Sequence, residues 1–335
     1  MPVRSRALVA FTLLAAAAAM SLLAALALGS VRVGGREIID ALAGGSGMQQ
    51  DIVRELRLPR ALAAFSVGGL LALAGALMQV LLRNPLADPY VLGLSGGAAV
   101  GALGAMLVGL GTLAVNLGAS AGALLAVALV FALVRRDFAH QQLFGALDAS
   151  PRLLLTGVIM AAGWGAVITL MLTLAPEAKL RGMLFWLMGD LNGAESWAPA
   201  LVTLVVCLIA IYPVARDLNV LLRGEALAHA LGVRVSALRY TIYLVASIAT
   251  ALAVTTAGTI GFVGLVVPHA LRLALGNDQR VLLPASVLAG GALLVAADTV
   301  ARSAFAPLQL PVGVITALFG VPAFMFLLLR NPRKT

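Results

Sequence analysis

Long apolar runs alternate with short polar breaks from one end of this chain to the other. Runs of about 18 residues or more, rich in Leu and Ala, predict helices that cross a bilayer. The sequence places them at 7–29, 59–82, 90–110, 112–134, 152–174, 197–214, 238–258, 259–275, 281–300 and 311–329. An outer-membrane barrel would need short strands of alternating polarity instead. The pattern therefore predicts an all-α, polytopic membrane protein with about ten transmembrane helices, residues 1–335 forming a single transmembrane domain. The first run follows Arg4 and Arg6 and has a cleavage-like Ala25–Ala27, but it is longer than a signal-peptide core and reads as a retained span. Residues 30–58 form a polar connection.

Two interruptions carry information. Gly258, Gly261, Gly264 and Pro268 predict a broken or short helix, whose freed backbone must be buried in protein or line a water-filled cavity. The polar stretch 216–239 lies between two apolar runs, and within it Glu225–Leu231 consists of strong helix formers. Glu225 suits the positive end of a helix dipole and Gly232 is a natural stop. The expectation is a short capped helix presented to a soluble partner. Leu180–Asp190, with Phe185 and Trp186, predicts another short helix lying on the outer surface. Small residues four apart, Gly93, Gly97 and Gly101, then Gly157, Ala161 and Gly165, predict close helix packing.

Composition sharpens this picture. Hydrophobic residues make up 61% of the 335 positions and charged residues 11%, more apolar than a soluble core requires. The net charge of +9 is better read as topology than as affinity for nucleic acid. Most of the basic residues fall on the side of the N-terminus, so both termini and the 216–239 stretch are expected to be cytoplasmic. Cys207 is the only cysteine and excludes an internal disulfide.

Several chemistries lack their residues. The two lysines, Lys179 and Lys334, do not follow glycine, so no phosphate-cradling loop can form, and nucleotide hydrolysis would need another chain. His140, His229 and His269 fall near cytoplasmic ends, so neither a metal site nor a cofactor is expected. The acidic residues lie in loops or near span ends, with Asp190, Glu195 and Asp298 outside. An ion-coupled secondary transporter, the alternative reading, usually needs an ionisable relay inside the bilayer. Gly93–Gly96 (GLSG) matches the surroundings of an intramembrane serine nucleophile, and His140 or His269 could approach Ser95; helix packing is the commoner role of such a match.

Arg57-Leu58-Pro59-Arg60, Gly75–Gln79 (GALMQ), Arg83–Pro89 (RNPLADP), Leu92–Gly97 (LGLSGG), Gly258–His269 (GTIGFVGLVVPH), Arg280–Pro284 (RVLLP), Ala297-Asp298, Arg302 and Leu310–Gly313 (LPVG) occur in this order. The chain thereby resembles the membrane permease subunits of bacterial ABC importers for iron-siderophores, haem and cobalamin. The resemblance implies a type II importer permease in the inner membrane, working as a homodimer embedded in lipid. Two ATP-binding cassette subunits would dock from the cytoplasm and a periplasmic substrate-binding protein from outside. It makes 216–239 the ATPase-coupling segment, with Arg223, Glu225, His229 and Gly232 in or beside its helix, although EALAHALG follows the usual coupling pattern only loosely. It also assigns Arg57, Arg60 and Arg302 to binding-protein docking.

For the translocation path, Met160, Trp164, Ile168 and Met171 share one helical face of the fifth span and are the expected lining. The expected cargo is a bulky metal chelate. Haem or a ferric siderophore is favoured on the commonness of iron carriers in the group, with cobalamin the further option.

Overall fold

The computed structural model describes residues 3–29, 31, 33–140, 149–193 and 197–330. Glu195 and Lys334 lie outside the described residues, as do the side chains of Arg4, Arg6 and His140. All regular structure within them is helical. Helix α1 (Val3–Ala27) leads to α2 (Gly35–Leu42) and α3 (Met48–Asp51), which runs through a π-helical stretch, Ile52–Arg57, into α4 (Leu58–Leu81). After a 3₁₀ turn at Pro89–Leu92 come α5 (Leu94–Val108), α6 (Thr112–His140), α7 (Ala149–Leu174), α8 (Glu177–Leu187) and α9 (Ala198–Ile211). Then follow α10 (Ala215–Leu221), α11 (Glu225–Ala230), α12 (Val235–Ala257), α13 (Val263–Leu275), α14 (Gln279–Ser303) and α15 (Val312–Arg330).

Among the described residues, seven helical stretches are long and apolar enough to cross a membrane, and three shorter apolar helices are Leu94–Val108, Val263–Leu275 and Val312–Leu327. Each falls within or over a run read from the sequence. The expected surface helix is α8, held by Lys179 Nζ donating to Leu107 O at 2.7 Å.

Helix α4 is apolar on every side, and such a helix is stable only when surrounded. It is buried along most of its length and packs against α14, α12, α13, α9 and α1. Glycines permit these contacts: a methyl group at Gly68 would come within 2.2 Å of Gly290 O, and one at Gly75 within 1.8 Å of Gly264 O. The second contact has a chemical cause, because Pro268 has no N–H to offer Gly264 O. The Gly93–Gly101 stripe finds a matching partner in α6, where a methyl at Gly101 would lie 1.9 Å from Gly118 O and one at Gly97 2.5 Å from Gly122 O. The other stripe divides: Gly157 is buried, whereas Ala161 and Gly165 are exposed.

The predicted break separates α12 from α13, and its backbone is buried in protein. Tyr90 O–H donates to Ile260 O at 3.1 Å while its oxygen accepts from Ile260 N at 3.0 Å. Asp190 N donates to Ala257 O at 2.9 Å, and Thr259 Oγ1 donates to Leu187 O. Pro89 packs beside Leu71 O, halfway along α4, at the place where a methyl on Gly264 would meet it at 2.7 Å. The connection after α4 thus turns back into the bundle. For that reason α5 starts deep and is short.

Candidate functional site

Chemistry gathers at the two ends of the bundle, named here by Glu225 and Arg60. At the Glu225 end, α11 is a capped unit. Gly224 enters it at φ +117° and Gly232 leaves it at φ +78°, both in the left-handed region that glycine tolerates. Gly232 N donates to His229 O and Val233 N to Ala228 O, at 3.0 and 2.9 Å, the paired bonds of a Schellman stop. Ala228 is buried in the main core, while Arg223, Leu227, His229 and Leu231 face outward.

Glu225 is the anchor rather than part of that outward face. Its Oε1 accepts from Arg83 Nη2 at 3.1 Å and from Arg239 Nη2. Arg83 belongs to the connection after α4 and holds φ +46°, unusual for a residue with a side chain; Arg239 is a buried residue of α12. One carboxylate therefore ties three segments. Beside it, Asn219 Nδ2 donates to Asp278 Oδ1 at 2.8 Å, joining α10 to the start of α14. The Arg280 guanidinium, hydrogen-bonded to Asp278, holds that carboxyl down at about 2.

At the Arg60 end the three expected docking arginines have inward partners. Arg57 is 5% exposed. Its Nη1 donates to Leu26 O at 2.7 Å and Ala27 O at 3.1 Å, and its Nη2 donates to Val31 O. The end of α1 leaves carbonyls without intrahelical donors, and Arg57 supplies them. Arg60 grips Asp298 with two edges, Nε to Oδ2 at 3.0 Å and Nη2 to Oδ1 at 2.8 Å, and also bonds Asn192 and Gln309. Arg302 donates to Ala25 O, and its Nε lies 3.6 Å from Asp298 Oδ2. Each of the three arginines expected to dock a binding protein therefore also has a partner within the chain. Asp298, expected simply outside, is 2% exposed and central to the group. Three cations around one carboxylate still line a 380 Å³ cavity, with Glu55, Asn192 and Gln309 on its wall.

The four residues expected to line the path share one face of α7. Met160, Trp164, Ile168 and Met171 form the half-buried face of α7, which packs on α5 and the turn before it. A methyl at Gly96 would meet Trp164 Cβ at 2.5 Å, and one at Gly93 would meet Met160 Cβ at 3.1 Å. Large side chains on α7 fill what the α5 glycines leave empty. The opposite face, including Val158, Ile159, Ala161, Ala162, Gly165 and Thr169, is exposed. Ser95 opens α5, and among the described residues no hydrogen bond joins it to an imidazole; His269 instead packs edge-on to Phe324 at 6.1 Å. Sequence reasoning missed Tyr90, Arg83 and Arg239, whose partners are 170, 142 and 14 residues away.

Comparison with known proteins supplies what geometry cannot. The profile of the FecCD transport family matches residues 15–330. The chain is 46% identical over 283 residues to the cobalamin import system permease protein BtuC of Halobacterium salinarum, covering 83% of this chain and 73% of that protein. It is 42% identical over 288 residues to the vitamin B12 import system permease protein BtuC of Vibrio cholerae, covering 85% of each. A solved structure described as an inward-facing conformation of a metal-chelate type ABC transporter matches with a TM-score of 0.81 and 29% identity, covering 96% of this chain and 99% of that one.

Proposed function

The chain belongs to the FecCD transport family, and from that premise we propose that it carries a cobalamin-like metal chelate as the permease of an ATP-driven importer. It is a membrane permease subunit of an ABC importer. The observation that carries the substrate is the likeness, over 83% and 85% of this chain, to two permeases named for cobalamin import, at 46% and 42% identity. The preference for haem or a siderophore rested on how common iron carriers are, and the names of these relatives give it no support.

In this reading the whole chain acts as one transmembrane domain with ten crossings, in the bacterial inner membrane, with the termini and 216–239 in the cytoplasm. Helix α11 couples the permease to two ATP-binding subunits. Its exposed Leu227, His229 and Leu231, flanked by Arg223, suit a partner cleft, while Glu225 passes the load to Arg83 and Arg239. A capped helix fixed by a charge clamp moves as a body, which is what transmission requires. Nucleotide and ligand must favour different states of the permease, because a ligand indifferent to both shifts nothing.

A second copy would complete the path along the exposed face of α7. At the outer end, an acidic side chain of a substrate-binding protein would enter the 380 Å³ cavity and meet the surplus positive charge of Arg57, Arg60 and Arg302. Such charge steers encounter and register more than affinity.

The test is reconstitution in liposomes with the cognate ATPase and binding protein. Radiolabelled cyanocobalamin should accumulate only with ATP and all components, with haem and ferric siderophore transported at least about tenfold more slowly. Uptake of haem in preference to cyanocobalamin would overturn the substrate. Uphill transport without the ATPase would overturn the importer reading.

A further inference from the structure

The connection between α1 and α4 carries a helix with a wider apolar face than the chain covers. In α2, Ala41, Ile38, Leu42 and Ile39 follow one another around about 160° of the circumference at 3.6 residues per turn. Ala41 and Ile38 are 2% and 7% exposed and join Leu26, Val33 and Val53 in a small core, against which Ala27 and Leu58 pack. Leu42 and Ile39, the other half of that face, are 58% and 67% exposed. Arg36, Glu37 and Asp40 occupy the remaining side. A charged side opposite a bare apolar one is the pattern of a helix that lies in the plane of a membrane surface.

Position decides what covers the bare half. Leu26 and Ala27 end α1, whose residues 7–27 are long and apolar enough to cross a membrane, and Leu58 begins α4. Packing on these residues holds α2 at the depth where the bundle leaves the hydrocarbon. Arg54 fixes it there, its Nη2 donating to Ala41 O at 2.9 Å and Gly45 O at 2.7 Å, carbonyls at and just past the end of α2. Helix α1 exposes Leu13, Met20 and Leu23, so α2 adjoins an apolar flank of the bundle. The 380 Å³ cavity at the Arg60 end lies on the other side of the π-helical stretch: Ile52, Glu55 and Leu56 line it, whereas Val53 and Arg54 hold α2. No residue of α2 or α3 is on its wall, so a protein seated in that cavity shares no lining with α2.

We propose that α2 is an interfacial membrane anchor, with Ile39 and Leu42 inserted among the headgroups and upper acyl chains of the leaflet beside the end of α1, and Arg36, Glu37 and Asp40 in water. Arg36 stands beside two acids, so no anionic headgroup is called for and apolar burial supplies the binding. Arg54 and Arg57, both in the π-helical stretch, tie it to α2 and to the end of α1. The anchor thereby sets the depth at which the Arg60 cavity opens. Anchoring of this kind requires a membrane-spanning chain and is independent of the cargo.

Full-length permease is reconstituted in phosphatidylcholine liposomes with a nitroxide on Ile39→Cys, Leu42→Cys, Arg36→Cys or Asp40→Cys; native Cys207 is buried, and the unsubstituted protein serves as the labelling control. Labels at 39 and 42 should be relaxed by oxygen and shielded from a water-soluble nickel chelate, at a depth of about 5–10 Å. Labels at 36 and 40 should show the reverse. Where a labelled variant does not fold, the unsubstituted permease is irradiated in liposomes holding a phosphatidylcholine with a diazirine near its headgroup, and adducts should map to Ile39 and Leu42. Nickel-accessible labels at 39 and 42, or adducts on α1 with none on α2, would overturn the anchor. Labels at 39 and 42 that stay water-exposed until the binding protein is added, and are then shielded from both reagents, would overturn it in favour of a protein contact.

Discussion

At the scale of single residues, the charged side chains of this permease act first on the fold. Arg57 is buried because it satisfies carbonyls at the end of α1, so Arg57→Met should destabilise by about 1–3 kcal/mol by leaving those acceptors unpaired. Chemical denaturation in detergent would measure it, and a neutral result would mean that water replaces the guanidinium. Glu225→Gln removes the charge from a clamp between two arginines while keeping the shape. The expected outcome is a complex that still assembles and hydrolyses ATP but transports at least about tenfold less per ATP, as befits loss of charge-assisted bonds worth ~1.5–3 kcal/mol. Equal losses of assembly and transport would make Glu225 a contact residue instead. Asp278 shows the sign of a depressed carboxyl: its contribution to stability is fully present above 3.8 and is lost as pH falls toward about 2. The difference in unfolding midpoint between the protein and Asp278→Asn should accordingly shrink below pH 4.

At the scale of elements, glycine decides which helices meet and Tyr90 decides how a broken helix survives inside the bundle. Gly101→Leu would drive a side chain into Gly118 O, already 1.9 Å from where a first methyl would sit. A loss of about 1–3 kcal/mol or more, read as lowered folded yield, is expected. The Gly93–Gly101 half of this interface was legible in the sequence because four-residue spacing puts small residues on one face. Its α6 partner was not, because a second Gly-rich helix has several possible registers, and contact alone selects one. Similarly, Gly258, Gly261 and Pro268 announced the break, but nothing local named Tyr90, 170 residues from Ile260, as the group that pairs with it. Tyr90→Phe should cost about 1–3 kcal/mol and raise hydrogen exchange at Ile260 above that of the neighbouring α13 amides.

At the scale of the whole molecule, the unpartnered face of α7 is the surface with the most to explain. Single cysteines at Ala161 and Gly165 should react with a polar thiol reagent in a nucleotide-dependent manner in the assembled importer, whereas cysteines at Met160 and Trp164 should be protected. Reversal of that pattern would return the path to the stripe expected from spacing. Helical spacing could show that four large residues share a face, but could not tell a face that fills a neighbour's glycines from one that lines a conduit. The sequence alone determined that the chain is helical and membrane-spanning, where its apolar runs break, and that α11 is capped. Each of these follows from local period, chain length or capping residues. Tertiary structure alone decided which arginines are spent inside the chain, which carboxylate holds α11, and which side of α7 stays open. Those outcomes depend on groups far apart in sequence, and a buried charge or carbonyl takes whichever partner packing brings within about 3 Å.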